Sequence, residues 1–324
     1  MIDFRYHIVS LVAVFLALGV GIVLGSGPLD EQIQGALETQ TEDLRGDQRN
    51  LRAKVTDLER EVSVGEDFAA EVIDPMTARQ LVDRSVVIFA LPDADNDLVD
   101  ETAQALEGAG ATVTGTVSIT DVYVDPTKAK APLEDLALRL VPPGVEFADG
   151  ATAIERVGTV LARATVASER EDTQEIDQRA AELLAGLQEL GAIEVTGEPG
   201  RRSELAVVVA PPAPTGEDTA ADADARQAAD GALLGLTTAL DAGSRGVVVT
   251  GPRPSATAGA FVATVRGSDD SAQGVSTVDI ADTTVGRIAL VLALVEQTRG
   301  AAGAYGAGDG VDSVVPNTSG GDGS

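Results

Sequence analysis

The residues best suited to chemistry are polar side chains that follow predicted strands. Asp93 follows one Val-rich run, Arg253 follows another in a Gly-Pro turn, and Asp279 and Asp282 close a third. Ligands of parallel sheets bind beyond the carboxyl ends of the strands. An arginine at such a position can hold an anion, and neighbouring aspartates can hold a cation. The alternatives are a solvated loop residue for Arg253 and capping of the next helix for Asp282.

Several kinds of active site are excluded by residue type. The only histidine is His7, near the N-terminus, and there is no cysteine, which excludes a Ser–His–Asp triad and the zinc sites built from His and Cys. No glycine-rich phosphate-binding motif follows a predicted strand. Pairs of Asp and Glu residues occur throughout so acidic a chain, so such a pair does not by itself indicate an active site that uses two carboxylates. We therefore predict a protein that is not an enzyme and has no cofactor.

The charge balance limits the partners of this chain. Its 324 residues include 23 Lys plus Arg and 52 Asp plus Glu, a formal net charge of −29. A surface this acidic repels nucleic-acid phosphates, so we predict no nucleic-acid binding. It also repels anionic lipid headgroups, so any membrane contact must be hydrophobic and made through the N-terminus.

An apolar stretch near the N-terminus predicts a single membrane anchor. Residues 8–28 carry no charge, and about 20 apolar residues span the hydrocarbon core. Arg5 precedes the stretch and Asp30 follows it, so the positive-inside rule predicts a cytoplasmic N-terminus with the bulk of the chain outside. A cleaved signal peptide is the alternative, although its apolar region would be shorter. The predicted lipid-facing residues are Ile8, Leu11, Val14, Phe15, Leu18, Val20, Ile22 and Leu24.

Two glycines in this stretch are spaced for close helix packing. Gly21 and Gly25 form a G-x-x-x-G pair, and small residues at that spacing let two membrane helices approach closely. The alternative is that they reflect only the general abundance of glycine in membrane helices.

A leucine heptad follows the anchor and predicts a coiled-coil stalk. Leu at position d and Val at position a favour a parallel two-stranded coil. Flanking charges agree, because Asp47 would face Arg52 of a partner helix and Lys54 would face Glu59. The alternative is an amphipathic helix packed on its own domain. The predicted seam consists of Leu37, Leu44, Leu51, Val55, Leu58 and Val62, and it predicts a homodimer or higher oligomer.

The remainder predicts an α/β domain. Short Val-rich runs alternate with helical patterns, which is typical of a mainly parallel, Rossmann-like sheet covered on both faces. The helical patterns between residues 133 and 190 read as an insertion. The predicted organisation is a cytoplasmic stub and anchor (1–29), a coiled-coil stalk (30–65), a linker (66–83), the α/β domain (84–300) and a disordered tail (301–324).

Both ends of the chain resemble a known family. The opening "MIDFRYHIVSLVAVFLALGVGIVLGSGPL" and the closing "STVDIADTTVGRIALVLALVEQTRGAAGAYG" are similar to the MctB family of actinobacterial copper transport outer membrane proteins. The resemblance implies a cell-envelope protein of copper efflux or homeostasis, as a component of an oligomeric channel. Some relatives are instead linked to control of septal cell-wall hydrolases, beside a membrane partner called SteA.

The copper chemistry implied by that resemblance has no visible ligand set here. Copper(I) prefers thiolate and thioether ligands and copper(II) prefers imidazole, whereas the chain has no Cys, His7 alone, and the two methionines Met1 and Met76. Two functions stay open at this point. One is a copper-homeostasis protein that handles copper as cargo. The other is a non-catalytic, plasma-membrane adaptor that binds a SteA-like partner or a cell-wall hydrolase during cell division.

Overall fold

The computed structural model describes residues 4–25, 29–125, 130–142, 145–148, 150–169, 177–198, 200–215, 220–268 and 274–317. The chain divides into two compact units, Met1–Gly65 and Glu66–Ser324. The first unit contains the helix α1 (Phe4–Gly25) and most of the helix α2 (Leu29–Thr77).

Helix α2 is longer than the sequence predicts. The predicted stalk ends at residue 65 and a linker follows, but the helix continues through Gly65 and ends at Thr77, with Pro75 in its last turn. One glycine in a helix costs about 1 kcal/mol. Burial of Ala69 and Thr77, which are 3 % and 4 % exposed, offsets that cost. The predicted linker is therefore helical over most of its length.

The second unit is built on a seven-stranded sheet with the order β3-β2-β1-β4-β5-β6-β7. All neighbouring strands are parallel except β3, which is antiparallel to β2. The strands are β1 (Ser85–Ala90), β2 (Thr112–Ile119), β3 (Ile193–Gly197), β4 (Leu205–Val209), β5 (Val247–Thr250), β6 (Ser276–Val278) and β7 (Ala304–Tyr305). The predicted mixed α/β architecture with a mostly parallel sheet is confirmed.

Helices connect the strands and cover the sheet. They are α3 (Asn96–Gly108), α4 (Asp121–Val124), α5 (Lys130–Arg139), α6 (Ala153–Thr165), α7 (Gln178–Glu189), α8 (Ala220–Gly243), α9 (Phe261–Arg266) and α10 (Thr284–Gln297). Several begin at a residue whose side chain caps the first backbone amides. Thr152 and Glu155 form a capping box at α6, and Thr283 accepts a hydrogen bond from Gly286 at α10. Helices α4 to α7 lie between β2 and β3 in the chain. Of these, α5 to α7 correspond to the helical patterns predicted between residues 133 and 190, whereas the short α4 was not predicted.

The core lies on both faces of the sheet. Val87 and Phe89 of β1 pack in one cluster with residues of α5 to α8, whereas Val86 and Ile88 pack in another with residues of α3 and α10. Successive side chains of a strand point to opposite faces. Both faces of β1 are therefore buried, which explains why its sequence is a continuous apolar run rather than an alternating one.

The C-terminal segment differs from its prediction. The sequence predicts disorder after residue 300, but Ala304 and Tyr305 form β7, which pairs with β6. The Tyr305 hydroxyl donates a hydrogen bond to Glu296, and the side chain of Arg266 donates to the Tyr305 carbonyl. Within the described range, which ends at residue 317, this segment is folded onto the sheet. Residues 318–324 of the predicted tail lie outside it.

Candidate functional site

Helix α1 has the length and composition of a membrane span. Arg5–Val23 has a mean hydropathy of 2.3, and no part of it is buried within the chain. The predicted lipid-facing residues from Ile8 to Ile22 are all exposed, while the side chain of Leu24 lies outside the description. Between Ile8 and Val23 the only polar side chain is Ser10. The helix is therefore apolar all round, which suits lipid on every side.

Of the predicted glycine pair, Gly21 stands on an open face of α1. A Cβ added at Gly21 would meet nothing within 4 Å, and Gly25 is the last residue of α1. Packing of two membrane helices through this pair stays a prediction.

The predicted heptad residues lie on one continuous helix. Leu44, Leu51, Val55, Leu58 and Val62 are exposed over 52–63 % of their surface. Leu37 belongs to α2, but its side chain lies outside the description. The described seam residues are thus more than half exposed, and their pairing in a coiled coil stays a prediction.

The sheet carries a cleft at its carboxyl edge. It has an empty volume of about 670 Å³ and lies beyond the ends of β5 and β6. Three segments line it, namely the loop after β5, the residues after β6 and the C-terminal segment. The lining residues are Arg253, Pro254, Ser255, Ala256, Thr257, Asp279, Ile280, Ala307, Gly308 and Asp309. The sequence correctly predicts that Arg253 and Asp279 lie at this edge.

Arg253 is an exposed loop residue that is paired with a carboxylate. Its Nε and Nη2 donate to Oδ2 of Asp282 at 3.0 and 2.8 Å, and its backbone N donates to Oδ1 of the same carboxylate at 3.0 Å. The hydrogen bond to Asp282 raises the pKa of Arg253 above its usual value. The sequence analysis offers Asp282 as the cap of α10, but in the structure Thr283 is the capping residue. A guanidinium already held by a carboxylate binds an external anion weakly.

Asp279 is a structural anion in this cleft. Its carboxylate accepts hydrogen bonds from the backbone N of Ala307 and Gly308, at 2.8 and 2.9 Å, and from Nη1 of Arg266 at 2.8 Å. The Asp279 and Arg266 side chains are 2 % and 10 % exposed. A Cβ at Gly306 would overlap this carboxylate, so only glycine fits there. The charge of Asp279 is compensated, and it is not free to coordinate a cation.

Sequence reasoning missed Arg266, which pairs with the cleft residue Asp279, and Ser255, which lines the cleft. Arg266 lies on the unpredicted helix α9, and the only signal in the sequence would have been an arginine in the last turn of a short helix. Ser255 is fully buried, and its hydroxyl and that of Thr250 have no hydrogen-bond partner among the described residues. An unpaired buried hydroxyl costs about 1–3 kcal/mol. The Ser255 hydroxyl is itself buried, so the cleft does not present it to a ligand.

A second, apolar cavity lies among the insertion helices and α8. It has an empty volume of about 830 Å³ and is lined mostly by small and aliphatic side chains. Tyr123 lines it and is 1 % exposed, and its hydroxyl has no partner among the described residues. Burial raises the pKa of Tyr123, which keeps the phenol neutral. The residues of this cavity carry no arrangement typical of a catalytic site.

Metal-binding groups do not cluster in the described parts of the chain. No group of three or more His, Cys, Asp or Glu side chains is positioned there to hold a metal ion. His7 lies in α1 and Met76 in the last turn of α2. Met1 lies outside the described residues.

Comparison with known proteins relates the chain to proteins of copper transport. Residues 1–316 match the family described as "Copper transport outer membrane protein, MctB". The copper transporter MctB of Mycobacterium tuberculosis is 32 % identical over 327 residues, covering 97 % of this chain and 99 % of that protein. The copper transporter MctB of Mycobacterium leprae is 31 % identical over 322 residues, with coverage of 97 % and 99 %.

Proposed function

Because this chain belongs to the MctB family, we propose that it is a cell-envelope protein of copper transport and acts there as a membrane-anchored, non-catalytic adaptor. In this role α1 holds the chain in the plasma membrane with its N-terminus in the cytoplasm. Helix α2 engages another helix, and the α/β unit presents a binding surface.

The observation that carries the proposal is the uniform apolarity of α1. A path for a hydrated or coordinated ion needs polar groups along its walls. Between Ile8 and Val23, only Ser10 could supply one. Several copies of α1 side by side would form a bundle with an apolar interior. Such a bundle anchors proteins well and conducts ions poorly.

The chemistry of copper supports the same role. A chain that carries copper itself needs soft or imidazole ligands, and this chain has no Cys and a single His. The cleft carboxylate Asp279 is engaged by Arg266 and by backbone amides. We therefore expect any effect on copper to pass through a partner protein.

The α/β unit suits recognition better than catalysis. Its strand order, with the reversal between β1 and β4, supports a Rossmann-like assignment. Its sequence lacks the glycine-rich phosphate loop of nucleotide-binding members of that class. The partner would be a SteA-like membrane protein or a cell-wall hydrolase, as for the SteB-like relatives of this family.

An oligomeric channel is the second candidate function. The spacing of Gly21 and Gly25 favours it, because close helix contacts assemble membrane bundles. The two candidates differ in what they require of α1. A channel needs its particular side chains, whereas an adaptor needs only a span of the right length.

Exchange of the anchor in cells tests the proposal. Residues 8–23 are replaced by an unrelated Leu/Ala helix of the same length, in a strain that lacks this protein and is sensitive to copper. We expect copper tolerance equal to that with the natural anchor. A control in which a cleavable signal peptide replaces residues 1–29 should lose tolerance. Loss of tolerance in the anchor exchange, at normal membrane levels of the protein, would favour the channel.

A further inference from the structure

Helix α2 carries an apolar stripe that is exposed to solvent. Leu44, Leu51, Val55, Leu58 and Val62 recur at heptad spacing, each more than half exposed. We propose that this stripe pairs with the same stripe of a second copy in a parallel, in-register coiled coil that ends at Val62. This dimer is independent of any role in copper transport.

Charge complementarity identifies a second copy as the occupant. With Leu44 at position d, Asp47 falls at g and faces Arg52 at e of an identical helix. One heptad later, Lys54 at g faces Glu59 at e. Both contacts are attractive, and each occurs twice in a two-fold symmetric dimer. A shift by one heptad would bring Asp47 opposite Glu59, so the charges also select the in-register pairing.

The outer face of the helix is polar, as an exposed coil requires. Arg60 donates to Asp57 at 2.8 Å, and these residues occupy positions f and c, away from the seam. Gly46 also falls at f, where it lowers helix propensity without leaving a gap in the seam. In two copies anchored in one membrane through α1, the N-terminal ends of both α2 helices lie at the same membrane surface. The two helices therefore run parallel.

Three features of the next heptad end the seam. Gly65 occupies position d and contributes no side chain. Glu61 at g would face Glu66 at e, which is a like-charge contact. Ala69, at the following a position, is 3 % exposed because it packs within the second unit.

Glu66 is also occupied within its own chain. Its Oε2 accepts a hydrogen bond from the backbone N of Thr284 at 3.0 Å, at the start of α10. A carboxylate is stabilised at a helix N-terminus by the helix dipole. Helix α2 therefore pairs with the second copy up to Val62 and packs within its own chain from Glu66 onward.

Disulfide crosslinking of the full chain in membranes tests the register and the end of the coil. The chain has no cysteine, so each introduced one is unique. Leu51→Cys and Leu58→Cys should crosslink to the same residue of a second copy at least ten times faster than Ala53→Cys, at outward position f. Equal rates, or no crosslinking at Leu51→Cys and Leu58→Cys, would overturn the dimer. A rapid crosslink at Ala69→Cys would overturn the proposed end at Val62.

The protein mass of the full chain in detergent micelles provides an independent test. Light scattering should give the mass of two chains for the wild type and of one chain for Leu51→Asp combined with Leu58→Asp. Val64→Asp is the matched control, because Val64 is 63 % exposed but lies at position c. It should stay dimeric. A one-chain mass for the wild type, or a two-chain mass for the double variant, would contradict the proposal.

Discussion

Arg266 ties the C-terminal segment to the sheet. Its guanidinium donates to Thr277 and Asp279 on the β6 side and to the carbonyls of Tyr305 and Asp309 in the C-terminal segment. The Arg266 side chain is 10 % exposed. Removal of one member of a buried ion pair leaves the other charge uncompensated, which is strongly destabilising.

We predict that Arg266→Met lowers the free energy of unfolding by about 3 kcal/mol. Urea unfolding followed by tyrosine fluorescence measures it, with Tyr305 as a local reporter. The matched control is Arg253→Met, which breaks the Arg253–Asp282 pair, whose side chains are 54 % and 32 % exposed. An exposed pair contributes less than about 1 kcal/mol. Equal losses in the two variants would contradict the structural role of Arg266.

The sequence predicts which residues lie at the carboxyl edge but not how they pair. Arg253 and Asp279 could be placed there because each follows a readable strand. Their partners could not, since a charge pair depends on three-dimensional packing rather than on spacing. Asp282 and Thr283 are adjacent and both are good caps. The choice of Thr283 follows from the contact between Asp282 and Arg253, which no local pattern contains.

At the scale of elements, the heptad of α2 could be predicted from the sequence, whereas the residue at which the helix ends could not. Its heptad predicts the seam residues. Its continuation through Gly65 to Thr77 depends on burial of Ala69 in the second unit, which is tertiary information. Tertiary packing overrides intrinsic propensity in this way.

We predict that Gly46→Ala stabilises α2 by about 1 kcal/mol per chain. A Cβ at Gly46 would meet nothing within 4 Å, so the gain in helix propensity meets no steric cost. Hydrogen exchange of the amides in residues 44–62 measures the effect. Ala53→Gly, at the equivalent f position of the next heptad, should change exchange by a similar amount in the opposite direction. Faster exchange in Gly46→Ala would contradict the helical state of this segment.

Some strands could likewise be predicted from the sequence and others could not. Strands β1, β4 and β5 could be read from the sequence because both of their faces are buried and their sequences are continuous apolar runs. Strands β3 and β7 were not predicted. In β3 only Ile193 is buried, and β7 has two residues, so neither carries a distinct periodic pattern.

At the scale of the whole molecule, the chain combines a helix long and apolar enough to span a membrane, a long helix with an exposed heptad stripe and an α/β unit. The net charge of the whole chain is −29, and we expect a chain this acidic to be repelled by anionic lipid surfaces. We therefore expect attachment to a membrane to depend on α1. Membership of the MctB family relates the molecule to copper, and the proposed adaptor role assigns metal transfer to a partner.

Copper flux into liposomes tests the central claim most directly. The full chain is reconstituted at increasing ratios of protein to lipid, with a copper-sensitive dye inside the vesicles. An anchored adaptor predicts influx equal to that of protein-free liposomes at every ratio, for copper(I) and copper(II). Influx that rises with the amount of protein would contradict the account and favour an oligomeric channel.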